Sequence, residues 1–327
     1  MCGIFVVISK KNKLLLKKHC LDGLNDMVYR GPDWSYSALI KKNIFFGQNI
    51  LSMTGKKVED KSIFQSKSNK YNILFNGEIY NYKDLPFLTE YKNNDSLTDT
   101  EFLLSLIEKK GLDKAQNFLD GMYVYAVYNH DTNEIQISRD PQGEKSLYIY
   151  EDNEYLIFSS EVSAIIKFVK KNDLDLDVLK TYFYSRHFMQ LEKTIYKNIK
   201  LLPPGESRVY SLNNFKCIKK STIYIRNWVS EVDFNRNMRR NFDDLYNELE
   251  YLLKKNISQM IPRERKFASI ISGGIDSSLI TKYLSEICDP NLLIAIDHVG
   301  KDTITKNLKH FENKLQKKIK TISVDEK

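Results

Sequence analysis

Apolar and polar positions alternate in two different textures along this chain. In the first two-thirds the apolar runs are short and crowded. Gly3 to Ile8 is an almost unbroken apolar run, which predicts a strand covered on both faces. Tyr71 to Phe75 predicts a second strand, ended by Asn76-Gly77, and Met122 to Tyr128 (MYVYAVY) a third that is covered on both sides. Glu134 to Ser138 alternates apolar and polar, as a half-exposed strand does, and Ser146 to Ile149 and Tyr155 to Phe158 extend the sheets. Between them, Thr98 with Glu101 three residues on makes a capping box. That box opens a helix through Phe102, Leu103, Leu106 and Ile107, with Gly111 as its stop. Two sheets between helical layers fit this pattern better than a parallel α/β fold.

After Pro203-Pro204-Gly205 the texture changes. Residues 226–241 are polar and rich in Arg and Asn, which predicts a linker. From Phe242 a 3.6-residue period appears at Leu245, Leu249, Leu252, Leu253 and Ile257. Strand 267–271, helix 276–287, strand 292–296, helix 303–317 and strand 319–324 then read as the start of a parallel, doubly wound sheet. With 327 residues, and about 150 residues per domain, two domains are expected. The boundary is placed at 212/213.

Composition narrows the function classes. The formal charge is +8, but only ten of the 50 basic residues are Arg and the lysines are spread along the chain in pairs beside apolar runs. That distribution is a solvated surface and argues against a nucleic-acid partner. No apolar run approaches the roughly 20 residues that span a bilayer, and no signal peptide opens the chain, so a cytoplasmic protein without a membrane partner is expected. The four cysteines, Cys2, Cys20, Cys217 and Cys288, form no CxxC and have no His at metal-ligand spacing.

Cys2 stands apart by position. If Met1 is removed, its free α-amine, with an ordinary pKa near about 7.7–8.0, can take the proton of its own thiol. The Cys-Gly-Ile-Phe start alone reads better as a small residue leading a buried strand. The segments that follow in order change this reading: Arg30-Gly31-Pro32-Asp33, Asn76-Gly77-Glu78-Ile79-Tyr80-Asn81, Gly121-Met122-Tyr123, and Arg139-Asp140 with Gly143-Glu144-Lys145. Together with Met-Cys-Gly-Ile-Phe they resemble the class II glutamine amidotransferase domain, and more narrowly the glutamine-hydrolysing asparagine synthetase family.

The resemblance implies an α+β four-layer αββα N-terminal-nucleophile sandwich over 1–212. It implies Cys2 as the nucleophile that attacks the side-chain amide of glutamine. Asn76 and the backbone of Gly77 would form the oxyanion hole, where one donor is worth about 100- to 1,000-fold in rate. Asn-Gly by itself equally suits a hairpin turn. Glu78 and Asp99 would anchor the α-ammonium of glutamine, and Arg30 would order the loop beside the nucleophile. The family's glutamine-binding segment corresponds to Ile50, Leu51, Ser52, Met53 and Thr54. Here Ile50 stands where the family has the Arg that clamps the α-carboxylate. Losing a charge-assisted hydrogen bond weakens binding roughly tenfold to over a hundredfold, and Lys56 or Lys57 would compensate only as point charges.

The second motif is Ser272-Gly273-Gly274-Ile275-Asp276-Ser277-Ser278, after an apolar strand and at the start of a helix. Glycines and a helix N-terminus suit phosphate, but the Gly-Lys-Ser/Thr end of a Walker A loop is absent. The motif resembles the pyrophosphate loop of ATP pyrophosphatases, the synthetase half of the same family. The resemblance implies ATP held by Ser272, Gly273, Gly274, Asp276, Ser277 and Ser278, adenine lined by Ile270 and Ile296, and Mg²⁺ facing Asp276. The family's later SGEGSDE-like segment and aspartate site do not occur, so residues 213–327 read as a partial α/β parallel doubly wound domain whose C-terminal remainder is missing. The expected function is glutamine-dependent asparagine synthesis, in which ammonia from glutamine meets a β-aspartyl-AMP intermediate. Its small molecules are glutamine, aspartate and ATP, with a homodimer or a separate chain supplying the missing half. The alternatives are a degenerate, weakly catalytic or non-catalytic remnant and a stand-alone glutaminase.

Overall fold

The structure is a computed structural model that describes residues 2–11, 14–52, 65–82, 85, 98–171, 173–223, 231–262, 266–288, 290, 292–298 and 302–324. The chain divides into two compact units, Met1–Asn227 and Trp228–Lys327.

The first unit runs β1 (Gly3–Ser9), α1 (Lys17–Asp26), β2 (Trp34–Lys41), β3 (Ile44–Ile50), β4 (Tyr71–Ile79), α2 (Asp99–Lys110), the short α3 (Leu112–Ala115), β5 (Gly121–Asn129), β6 (Glu134–Arg139), β7 (Tyr148–Glu151), β8 (Tyr155–Ser159), α4 (Val162–Val169), α5 (Leu176–Ser185), β9 (Ile199–Leu201), β10 (Glu206–Ser211) and β11 (Lys216–Thr222). Among the described residues one antiparallel sheet has the order β2-β3-β1-β8-β7-β9 and the other β11-β10-β6-β5-β4.

Strand periodicity explains the layering. In β1, Ile4, Val6 and Ile8 point between the sheets, where they meet Leu74 of β4 and Val124, Ala126 and Tyr128 of β5. The alternate residues Phe5 and Val7 face the other way, into a cluster with Leu24 of α1 and Ile165 of α4. On the far side, Ile73 and Phe75 of β4 and Tyr123, Tyr125 and Val127 of β5 pack under Phe102, Leu103, Leu106 and Ile107 of α2. Both central strands are therefore covered on both faces, as their unbroken apolar runs require. The order helix, sheet, sheet, helix is the expected αββα sandwich. α2 begins at the expected capping box, with Thr98 N donating to Glu101 Oε2 at 2.7 Å and Glu101 N to Thr98 Oγ1 at 3.3 Å.

Three details differ from the sequence reading. Asn76-Gly77 does not end its strand: β4 continues to Ile79, with Asn76 opposite Val124 and Gly77 opposite Tyr123. A Cβ on Gly77 would lie 2.1 Å from the Met122 carbonyl oxygen, so this glycine serves a close strand-to-strand approach and no turn. Residues 213–222 are not the start of the second unit, because β11 pairs with β10 in an antiparallel hairpin. And the polar stretch read as a linker holds a helix, α6 (Glu231–Met238).

The second unit continues with α7 (Phe242–Met260), β12 (Ala268–Ile270), α8 (Ile275–Ile287), β13 (Leu292–His298), α9 (Asp302–Leu315) and β14 (Ile319–Val324). The strands form a parallel sheet in the order β12-β13-β14, with Ile271, Leu293, Ala295, Leu308 and Ile319 as its small core. No helix among the described residues is long and apolar enough to cross a membrane.

Candidate active site

Cys2 immediately precedes β1, the central strand of its sheet. Because Gly3 lies opposite Asn49, the thiol falls beside the end of β3. Leu51 N donates to Cys2 Sγ at 3.4 Å, and the thiol in turn lies 3.6 Å from the Leu51 carbonyl oxygen. Burial pushes the Cys2 thiol up, with the Leu51 backbone, Gln48 and Lys145 opposing the shift. The thiol is thus held neutral until a base takes its proton.

Gln48 joins this corner to the other sheet. Its Nε2 donates to the Phe75 carbonyl oxygen at 2.6 Å and its Oε1 accepts from Phe75 N at 3.3 Å. That two-point bond pins β4 one residue before Asn76. Asn76 is 1% exposed, and neither its Oδ1 nor its Nδ2 has a hydrogen-bond partner. An unpaired buried amide costs free energy. An amide left so, next to the strand that Cys2 leads, has unused hydrogen-bonding capacity.

The end of β4 adds two carboxylates. Asp99, the first residue of α2, is buried, and its Oδ2 accepts from Ile79 N at 3.0 Å. Glu78 is half-buried; burial pushes its carboxyl up and Lys145 pulls it down. From the other side Arg30 Nε donates to the Cys2 carbonyl oxygen at 3.1 Å while its Nη1 is paired to Glu161. The loop after Arg30 lies tight on β3: a Cβ on Gly31 would be 2.4 Å from Ile50 N, and Asp33 Oδ2 accepts from Ser52 N at 2.9 Å. So Cys2, Arg30, Ile50, Leu51, Ser52, Asn76, Gly77, Glu78 and Asp99, distant in sequence, share the ends of β1, β3 and β4.

A profile described as a glutamine amidotransferase domain matches residues 1–221. The chain belongs to this glutamine amidotransferase family. Among curated proteins it is 26% identical over 344 aligned residues to the putative asparagine synthetase [glutamine-hydrolyzing] 1 of Methanocaldococcus jannaschii, covering 98% of this chain and 58% of that protein. It is 28% identical to asparagine synthetase [glutamine-hydrolyzing] 1 of Bacillus subtilis, covering 88% of this chain and 44% of that protein. The chain therefore spans about half the length of the curated relatives it matches. Among solved structures, glutamine phosphoribosylpyrophosphate amidotransferase of B. subtilis aligns over 98% of this chain and 81% of its own, with a TM-score of 0.47 and 14% identity.

Within this amidotransferase unit, three residues at the site were not singled out in the sequence. Gln48 and Glu161 act through pairings that no local motif announces. Lys145 was visible only as the end of the Arg139-Asp140…Lys145 segment, which proves to be a braced loop. Arg139 Nε donates to the Lys145 carbonyl oxygen at 2.5 Å, and Asp140 Oδ2 accepts from Lys145 N at 3.0 Å. Ile50 is half-buried at the end of β3 and brings no cation. Met53, Thr54, Lys56 and Lys57 lie outside the described residues.

In the second unit, the Ser272–Ser278 loop leads from β12 into α8. Gly274 caps α8 without any side-chain hydrogen bond to the helix N–H groups. Ser272 Oγ and Ser277 Oγ lie 3.0 Å apart, and Ser272 N donates to Ser277 Oγ at 3.2 Å. Ile270 is 63% and Ile296 44% exposed, each on a strand of the parallel sheet. An open loop with an uncapped helix N-terminus suits an anion, and the exposed isoleucines suit a flat apolar ring. Asp276, in the first turn of α8, is exposed; among the described residues no group of three or more His, Cys, Asp or Glu is placed to hold a metal ion. A Mg²⁺ held mainly by a nucleotide's phosphates needs only one or two carboxylates, so these residues fit that group.

Proposed function

We propose that the first unit hydrolyses glutamine to glutamate and ammonia, with Cys2 as nucleophile. The reading rests chiefly on the buried Asn76 amide, whose two polar atoms await a partner one residue from the Gln48 bridge to the Cys2 corner. With Met1 removed, the α-amine of Cys2 takes the thiol proton. The sulfur attacks the side-chain amide carbon of glutamine, and the oxyanion that forms accepts from Asn76 Nδ2 and Gly77 N–H. The C–N bond then breaks, the protonated amine returns its proton to the leaving nitrogen, and ammonia departs. Water hydrolyses the remaining thioester, giving glutamate and the free thiol. Glu78 and Asp99 meet the α-ammonium of the substrate, Leu51 and Ser52 line it, and Arg30 holds the Cys2 carbonyl in place.

The ammonia serves an ATP-dependent conversion of aspartate to asparagine, the reaction for which the relatives are named. In that reading Ser272, Gly273, Gly274, Ser277 and Ser278 hold the phosphates, Ile270 and Ile296 flank adenine, and Asp276 faces Mg²⁺. When bound, the nucleotide supplies the activation of a carboxylate. A cytoplasmic setting fits the four free cysteines.

The test is ammonia release from glutamine by the whole chain. Release that falls to background in Cys2→Ala supports the proposal. Release unchanged in Cys2→Ala, or none from the parent with a processed N-terminus, rejects it.

A further inference from the structure

The site keeps a carboxylate and an ammonium close but unjoined. Lys145 is only 5% exposed, yet its ammonium forms no ion pair and no hydrogen bond with any described residue. The Glu78 carboxylate likewise has no hydrogen bond or ion pair among the described residues. Each still acts on the other electrostatically, and Lys145 also acts on Cys2. A buried lysine without a hydrogen-bonded partner is costly, and here Glu78, Glu144 and Asp140 offset the lost hydration only at a distance. The loop that carries it is braced by Arg139 and Asp140, which hold the Lys145 backbone at both its carbonyl and its N–H.

The other nearby cation is already committed. Arg30 gives Nε to the Cys2 carbonyl oxygen and Nη1 to Glu161. Arg139 gives its three nitrogens to the carbonyl oxygens of Lys145, Leu202 and Gly143. Residue 50 is an isoleucine. Lys145 is thus the buried cation beside Cys2 and Glu78 whose charge is unused.

An α-amino acid carries its own opposite charges on one carbon. Two unjoined protein charges of opposite sign beside the nucleophile are complementary to that head group. We propose that Lys145 receives the α-carboxylate of the amino-acid substrate in place of a cation at position 50, while Glu78 faces its α-ammonium. This deepens the glutaminase reading and rests on it for the identity of the substrate. Lys145 gives a point charge on a flexible stem where an arginine would give a planar fork, so it selects for a carboxylate without fixing its plane.

The test compares glutamine with glutamine α-amide, which lacks the carboxylate. Binding of both to the Cys2→Ala chain is measured by calorimetry, together with KM and kcat of the chain with Cys2 intact. Lys145→Met should weaken glutamine binding and raise KM about ten- to a hundredfold. It should leave binding of the α-amide nearly unchanged, so the preference for glutamine disappears. kcat should change far less than KM, and Lys145→Arg should restore most of the preference. A role confined to bracing the loop would weaken both ligands together and would not be rescued selectively. A Lys145→Met chain that keeps its preference for glutamine, or a parent chain that binds neither ligand, overturns the proposal. Carboxylate-selective binding without Cys2-dependent ammonia release would sink the glutaminase reading alone. Ammonia release with an unaltered preference in Lys145→Met would sink this inference alone.

Discussion

Two helices with similar sequence credentials end in different surroundings. α2 opens on a capping box, and its apolar face, Phe102, Leu103, Leu106 and Ile107, is buried under β4 and β5. α7 opens on Asn241, whose side chain accepts from Asp244 N, and repeats its leucines at helical spacing. Yet Leu245 is 36%, Leu249 55% and Leu252 44% exposed, and no residue of α7 is fully buried. Its described ties are to α8, through Lys254, which is paired to Glu286 at 2.8 Å and lies over the Tyr283 ring. An amphipathic period makes a helix; burial also needs a sheet to lie on.

The same contrast separates the two candidate sites. In the first unit the key groups are sealed in and prearranged: Asn76 is buried without a partner, and Gln48 holds its strand by two hydrogen bonds. In the second, the hydroxyls of Ser272 and Ser277 satisfy each other in an exposed loop. Catalysis that stabilises a developing charge gains most from donors fixed in advance. Grip on a phosphate gains from an open helix end that anions reach from water.

The largest effect expected from this contrast is at Asn76. Asn76→Ala should lower kcat for ammonia release about 100- to 1,000-fold. Its Tm should change little, because the amide makes no hydrogen bond in the folded chain. A small kinetic effect with a large loss of stability would reverse the roles assigned to the buried amide.

Next come the two helices. Leu103 is fully buried, so Leu103→Ala should destabilise the first unit by about 2–5 kcal/mol in urea unfolding followed by an amidotransferase-unit probe. Leu249→Ala, at a half-exposed site on α7, should cost about 1 kcal/mol or less in the second unit. Equal costs would mean that the exposed face of α7 is covered in solution.

The smallest effect concerns Glu78. Burial raises its pKa, so the folded chain holds that proton more firmly than the unfolded one. The associated stability is present below the ordinary carboxylate range near about 4.3 and is lost as pH rises through the folded value. Glu78→Gln never ionises. It should therefore be slightly more stable than the parent at pH 7, with the difference closing in acid, while its glutamine KM rises. A stability gap that widens as pH falls would contradict this sign.

Local chemistry wrote much of the molecule into its sequence. The covered strands β1 and β5, the box at Thr98 and Glu101, the βαβ texture after residue 266 and the ordered motifs from Cys2 to Lys145 are all properties of neighbouring residues. They were enough for the αββα sandwich and for the family. They misled at Asn76-Gly77, whose turn-like composition answers to the Met122 backbone packed against it and not to a chain reversal. They were silent on Gln48 reaching the Phe75 backbone, on Glu161 reaching Arg30, and on the loop that buries Lys145. The first two pairings join residues 27 and 131 positions apart. Periodicity carries no information across such separations, because strand register and sheet stacking choose the partners. The sequence by itself determined the covered strands, the capped helix and the ordered motifs; the stacking of the two sheets decided which side chains are spent on one another and which, like the Asn76 amide, are buried without a hydrogen-bond partner.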